Sequence, residues 1–284
     1  MQNYALVILR GIGQVMFQNN ALSGLLFLAG IFYNSWLLGL AVILGTVVST
    51  TIAQVLKYSR SEIDIGIYGF NGALVGVAIW FFFGFSTITS VVLIAGAALS
   101  AIFMHEMKRI VPPFTAPFVL ITWLLILVLL FVLQVPLVVP KLLESNSLDV
   151  FSTFSKGFSQ VWFQDNIVTG IFFLGALAVN SSSSAFYALY GSALGALIAI
   201  LLSQPFSMIN AGLFGYNAAL CGIALGNKKL RSFLWTTLAI ALSVILNIGI
   251  GSLGFISLTS AFVLATWIVL YMQHLYERYS MSFS

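Results

Sequence analysis

QVMFQNNALSG, residues 14–24, comes back as QVWFQDNIVTG at residues 160–170. Gln14 pairs with Gln160, Val15 with Val161, Phe17 with Phe163, Gln18 with Gln164, Asn20 with Asn166, Ser23 with Thr169 and Gly24 with Gly170, all at an offset of 146 positions. GFNGALVGVA at 69–78 answers GYNAALCGIA at 215–224 at the same offset, and TAPFVLITW at 115–123 answers TSAFVLATW at 259–267 at an offset of 144. Three blocks in one order at nearly constant spacing are an internal duplication of about half the chain. A period this long is not a solenoid repeat; in a membrane protein it points to two halves that share a site.

Of the 284 residues, 61% are hydrophobic and 6% charged, with a mean hydropathy of +1.09. No soluble fold of this length hides so much apolar surface, so an integral membrane protein is expected, with the lipid bilayer as its surroundings. The net charge of +4 does not make nucleic acid a partner, because the basic residues sit between apolar spans and form no stripe. Cys221 is alone inside an apolar block, which excludes a disulfide framework or a CxxC pair. The N-terminus shows no basic region before its first apolar stretch and no small-residue cleavage site after it. No removable signal peptide is expected; the first span serves as the insertion signal.

Residues 3–18 are apolar but carry Arg10, Gly11, Gly13 and Gln14. They are too short and too polar for about 30 Å of hydrocarbon, so a half-membrane helix is expected there. Spans follow at about 21–34, 36–56, 67–84, 87–104 and 117–135; after the polar link 136–156 come a half-helix at about 157–166 and spans near 167–180, 184–203, 212–226, 232–250 and 259–275. The expectation is an all-α polytopic membrane protein with ten transmembrane helices plus two re-entrant half-helices. Residues 1–135 form the first repeat, 136–156 the linker and 157–284 the second. Five spans are an odd number, so the two five-helix repeats must be inverted. One side then receives Arg10, Lys57, Arg60, Lys108, Arg109, Lys228, Lys229, Arg231 and Arg278, the other only Lys141 and Lys156. That asymmetry assigns the first side, with both termini, to the cytoplasm.

Nearly all the polar groups in the repeated blocks are neutral: Gln14, Gln160, Asn71, Asn217, Thr115 and Thr259. Proton- or ion-coupled carriers usually need an intramembrane acid or base, at a cost of about 2.5 kcal/mol or more, and no span offers an obvious one. An uncharged solute fits better. Phe17 and Phe163 in the half-helices, with Phe70 and Tyr216 in the GFN and GYN blocks, could make two ring pairs, a slot for a planar solute whose edge meets oxygens.

The duplicated set QVxFxxN with a following [ST]G, G[FY]N with a leucine four residues after the aromatic, and TxPFxxxTW resembles the urea transporter family over nearly the whole chain. The resemblance implies passive, channel-like urea permeation through each protomer of a homotrimer. It implies that Val15, Phe17, Phe70 and Leu74 line one half of the slot, and Val161, Phe163, Tyr216 and Leu220 the other. It further implies that Thr115 and Thr259 flank the constriction and that Gln14 and Gln160 bind amides at the mouths. The chain departs from the family pattern at Ala21 and Ile167, where proline is common, at TSAF in place of TxPF, and at Tyr216 in place of phenylalanine.

Each feature also has a plainer role. The asparagines Asn71 and Asn217 are read as tying down backbone where helices break. Asp165 is read as a cap or a residue of an aqueous mouth, and the glycine pairs Gly72/Gly76 and Gly191/Gly195 as close helix contacts. His105 and His274 fall at span ends, which argues against an ammonium pore. The alternative function is an energy-coupled transporter for a small neutral amide or related metabolite, with Asp165 or a residue near Lys156 at the coupling position. No catalysis, cofactor or metal is expected, because no Ser, His and Asp set, acid dyad or metal cluster occupies equivalent midplane positions. Short termini suggest a bacterial inner-membrane protein.

Overall fold

The computed structural model describes residues 3–138 and 144–281. The middle of the polar link 136–156, with Lys141, lies outside the described residues. Fourteen α-helices are described: α1 (Tyr4–Gln14), α2 (Ala21–Asn34), α3 (Trp36–Val55), α4 (Arg60–Asp64), α5 (Gly69–Phe83), α6 (Thr87–Met107), α7 (Ala116–Leu127), α8 (Val150–Ser159), α9 (Ile167–Asn180), α10 (Ser182–Leu201), α11 (Phe206–Asn210), α12 (Tyr216–Leu225), α13 (Leu230–Ser252) and α14 (Ser260–Met281). A π-helical turn, Val128–Val132, extends α7, and a 3-10 turn, Gln160–Trp162, follows α8.

Each of the ten expected spans holds an α-helix, but four of them, α3, α6, α10 and α13, are by themselves long and apolar enough to cross a membrane. Of the others α14 has 22 residues but is less apolar, and the rest are shorter, with 14 residues in α2, 15 in α5 and 10 in α12. Fourteen residues rise only about 21 Å, less than the roughly 30 Å of a hydrocarbon core. The sequence cause is visible between α2 and α3. Ser35 takes extended backbone, closes α2 and caps α3 by accepting the N–H of Leu38 at 3.3 Å, cutting one apolar run in two. Helix α8 starts at Val150, inside the polar link, because Asp149 caps it by accepting from the N–H and hydroxyl of Ser152.

The chain forms two compact units, Met1–Leu143 with Trp162–Ser182, and Glu144–Val161 with Ser183–Ser284. In the first unit α3 and α5 touch backbone to backbone: a Cβ on Gly45 would meet the Gly72 carbonyl oxygen at 2.1 Å, and one on Gly76 the Ala41 oxygen at 2.3 Å. In the second, a Cβ on Gly191 would meet the Ala218 oxygen at 2.4 Å and one on Gly195 the Phe214 oxygen at 2.5 Å. These are the close helix contacts that small residues permit. Large side chains fill what remains: Phe27, Tyr68, Phe118, Trp162 and Phe173 are fully buried in the first unit. Many other large apolar residues, among them Leu22, Trp36, Val91, Phe186 and Leu234, stay exposed, as lipid-facing side chains do.

Backbone with positive φ recurs at matched positions. Phe17 (61°) answers Phe163 (58°), Lys57 (56°) answers Ser203 (55°), Gly66 (81°) answers Gly212 (76°), and Phe114 (46°) answers Leu258 (47°). Lys57 and Ser203 close α3 and α10 in the same way. The N–H groups of Tyr58 and Gln204 reach back to the oxygens of Ala53 and Ala199, both at 3.0 Å.

Candidate functional site

The first repeated block folds as a helix end that turns back on itself. After α1, the N–H groups of Met16 and Phe17 donate to Gly13 and Gln14 at 3.1 and 3.0 Å, and that of Gln18 returns to Gly13 at 3.0 Å. Phe17 therefore takes the left-handed position that usually belongs to glycine. For a side chain with a Cβ this costs about 1–2 kcal/mol, and such strain is a pointer to function. Phe163 sits in the same conformation after the 3-10 turn Gln160–Trp162.

A buried amide bridges each turn. Gln18 (1% exposed) donates from Nε2 to the Met16 oxygen at 2.7 Å, and Gln164 (0% exposed) donates to the Trp162 oxygen at 2.6 Å. The other end of each amide is also taken. Asn180 Nδ2 donates to Gln18 Oε1 at 2.9 Å, and Asn34 Nδ2 donates to Gln164 Oε1 at 2.8 Å. All of these residues belong to the first unit. Because Asn34 ends α2 and Asn180 ends α9, the two bonds make α2 and α9 antiparallel neighbours. Their contact is sealed by Phe27 and Phe173, edge to face at 5.2 Å, and by the Thr169 hydroxyl donating to the Gly30 oxygen at 2.9 Å. Asn20 and Asn166 cap the two helices. Asp165 is exposed beside that cap.

Aromatic rings gather on both left-handed residues. Phe17 meets Phe114 edge on at 6.2 Å, while Phe163 meets Phe81 at 5.1 Å, Phe82 at 5.4 Å and Phe118 at 6.5 Å. Phe114 is itself left-handed and immediately precedes Thr115, which is 1% exposed. Asn71 holds this second turn, donating from Nδ2 to the Phe114 oxygen at 3.4 Å and accepting the Phe118 N–H on Oδ1 at 3.1 Å. In the second unit Asn217 does the same work. It donates to the Leu258 oxygen at 3.2 Å and accepts from the Phe262 N–H at 3.1 Å, beside the buried Thr259. Both asparagines tie down broken backbone, as their sequence reading expected.

Gln14 donates from Nε2 to the Ile65 oxygen and Gln160 to the Ala211 oxygen, each at 2.9 Å. Among the described residues neither Oε1 takes a protein hydrogen bond, so each amide presents its acceptor side. Val15, Val161, Leu74 and Leu220 are buried, and Phe70 is 7% exposed. The Tyr216 hydroxyl donates to the Leu258 oxygen at 2.7 Å, so the tyrosine that replaces phenylalanine spends its polar end on the strained turn before Thr259. Of the twelve residues expected from sequence, Gln14, Val15, Phe17, Phe70, Leu74, Thr115 and Phe163 lie in the first unit, and Gln160, Val161, Tyr216, Leu220 and Thr259 in the second. The sequence reading paired Gln18 with Gln164 but gave them no role, and it missed Asn34 and Asn180, although that pair keeps the same 146-residue offset. It also missed Phe81, Phe82, Phe114 and Phe118. Among the described residues no three His, Cys, Asp or Glu side chains come together as metal ligands.

The family profile described as "Urea transporter" matches residues 5–274. The chain is 32% identical over 259 residues to urea transporter 1 of Rattus norvegicus, and 32% identical over 260 residues to that of Ovis aries. Each alignment takes in 83% of this chain and 66% of the relative.

Proposed function

The chain belongs to the urea transporter family, and from that premise we propose that it passes urea across a membrane by passive, channel-like permeation. The observation that carries the reading is the pair of left-handed phenylalanine turns at Phe17 and Phe163, each stiffened by a buried amide and each set among further rings. Strained aromatic residues at duplicated positions are an expense that packing alone does not require. Flat ring faces can hold a planar solute, while the free acceptor sides of Gln14 and Gln160 can take its N–H groups.

The lining we assign is, in the first unit, Val15, Phe17, Phe70, Leu74 and Phe163, with Gln14 at a mouth and Thr115 at the constriction. In the second unit it is Val161, Tyr216 and Leu220, with Gln160 and Thr259 in the corresponding roles. Each hydrogen bond that urea gives up to enter costs about 1–3 kcal/mol unless a protein acceptor replaces it. A cation of similar size gives up the solvation of a full charge, which neutral amides and rings do not restore, so the path rejects it. The matched bonds of Gln14 with Gln160 and of Asn71 with Asn217 support two repeats of one design, which we read as inverted. We read the assembly as a homotrimer from the family resemblance and both termini as cytoplasmic from the Lys/Arg asymmetry; chemical cross-linking in membranes tests the first, and accessibility of added terminal cysteines the second.

The deciding experiment is stopped-flow urea efflux from proteoliposomes without ion gradients, comparing wild type, empty vesicles and a Thr115→Val, Thr259→Val double variant. Fast wild-type efflux that persists with an uncoupler and falls in the variant is the expected result. Uptake abolished by the uncoupler would replace this reading with energy-coupled transport of a small neutral amide, with the exposed Asp165 as the coupling group.

A further inference from the structure

We infer that Asn34, Asn180, Gln18 and Gln164 are positioning residues that set how tightly the two phenylalanine turns discriminate among planar solutes. This deepens the proposed permeation of urea and rests on it. Each glutamine amide has only one orientation available. Its Nε2 must face the main-chain oxygen of Met16 or Trp162, two residues back across the left-handed phenylalanine. Its Oε1 is then turned to a donor, and the donor is an asparagine from the far end of the neighbouring helix, Asn180 for Gln18 and Asn34 for Gln164. The bonds join residues 162 and 130 positions apart.

Neither asparagine is needed to finish its own helix. The N–H of Ser35 already closes α2 on Ile31 at 2.7 Å, and that of Ser181 closes α9 on Leu177 at 2.8 Å. Both asparagines are exposed, whereas both glutamines are buried. The side chains therefore leave their own helix ends and reach the turn that carries the other copy's phenylalanine. Gly13 is pressed beneath the first turn, where an added Cβ would meet the Gln18 oxygen at 2.3 Å. The turn is thus supported from below by α1 and from the side by Asn180. The antiparallel pair α2 and α9 acts as one strut with a clamp at each end, and loosening either end frees one ring.

The test measures the permeability ratio of N-methylurea to urea in proteoliposomes for wild type, Asn34→Ala, Asn180→Ala and the double variant. A rigid site discriminates one added methyl by about tenfold or more. Each single variant is expected to raise the ratio several-fold and the double variant to bring it close to one. Because the asparagines are exposed, the variants keep the buried packing, and a monodisperse elution profile checks this. A second measurement does not depend on permeation: 4-fluorophenylalanine at position 17, whose fluorine resonance is expected to broaden or move in Asn180→Ala and to stay in place in Asn34→Ala. A ratio unchanged in folded variants, or a resonance that ignores both substitutions, overturns the inference. Absence of urea efflux from wild type defeats the permeation reading instead, and the fluorine measurement then decides the clamp alone.

Discussion

The two sequence copies differ most where packing is concerned and least where backbone turns. At the turns the bonds coincide within 0.2 Å: Gln14 and Gln160, Gln18 and Gln164, and Asn71 and Asn217 all reach the corresponding main-chain atoms. Away from them the copies drift. The Thr169 hydroxyl finds the Gly30 oxygen, whereas the buried Ser23 hydroxyl has no hydrogen-bond partner among the described residues. Tyr216 binds the Leu258 oxygen, where Phe70 has nothing to offer. A left-handed residue without glycine survives only if its neighbours over-determine it, so the amide bonds at these turns cannot change singly. Helix contacts are repaired by any neighbour of suitable volume, so they are free to diverge.

The comparison breaks first, if it breaks, at the asparagines. Asn71→Leu takes away one bond each from the Phe114 carbonyl and the Phe118 N–H, and Asn217→Leu one each from the Phe262 N–H and the Leu258 carbonyl, which keeps the Tyr216 hydroxyl, at about 1–3 kcal/mol for each bond lost. Thermal unfolding of the detergent-solubilised protein is expected to show a large loss for both, the smaller for Asn217→Leu, because the Tyr216 hydroxyl still serves the Leu258 oxygen. A Thr169→Ala change removes one hydrogen bond and one buried methyl, about 1–2 kcal/mol. Tyr216→Phe converts the second copy to the chemistry of the first and is expected to cost about 1 kcal/mol, read by the same unfolding midpoint. Ser23→Ala removes a hydroxyl that bonds to none of the described residues, so its midpoint is expected to stay level or rise. If Ser23→Ala and Thr169→Ala cost the same, the asymmetry is not energetic.

The smallest effect concerns a surface network that has no counterpart among the repeated blocks. Glu62 is ion-paired with Lys108 and accepts from the Tyr68 hydroxyl at 2.7 Å, beside His105, which stacks on Tyr58 at 3.7 Å. Burial alone would raise the Glu62 carboxyl, but the bonds from Lys108 and Tyr68 outweigh it and hold the group below its usual range. A depressed carboxylate contributes stability that is complete above its unfolded value, about pH 4.3, and is lost as pH falls through the lower folded value. Glu62→Gln is therefore expected to lower the unfolding midpoint slightly at neutral pH. The gap should close in strong acid, as a midpoint series against pH would show.

The sequence alone determined the membrane class, the duplication and the identity of the blocks that carry polar groups, because hydropathy and exact recurrence need no coordinates. It placed a short helix where α1 stands and named both asparagine ties correctly, since a polar side chain where a helix breaks has few other uses. Only the tertiary structure decided that Phe17 and Phe163 are left-handed, because the residue type there argues against that backbone and the support comes from Gln18 and Gln164. It alone decided that Asn34 and Asn180 reach across to those glutamines, since the bonds span more than a hundred residues. The partners of the rings, Phe114 for Phe17 and Phe81, Phe82 and Phe118 for Phe163, were equally out of reach. In a chain with 25 phenylalanines and apolar helices on every side, period and composition do not tell a packed ring from a lipid-facing one; only the fold brings particular rings together.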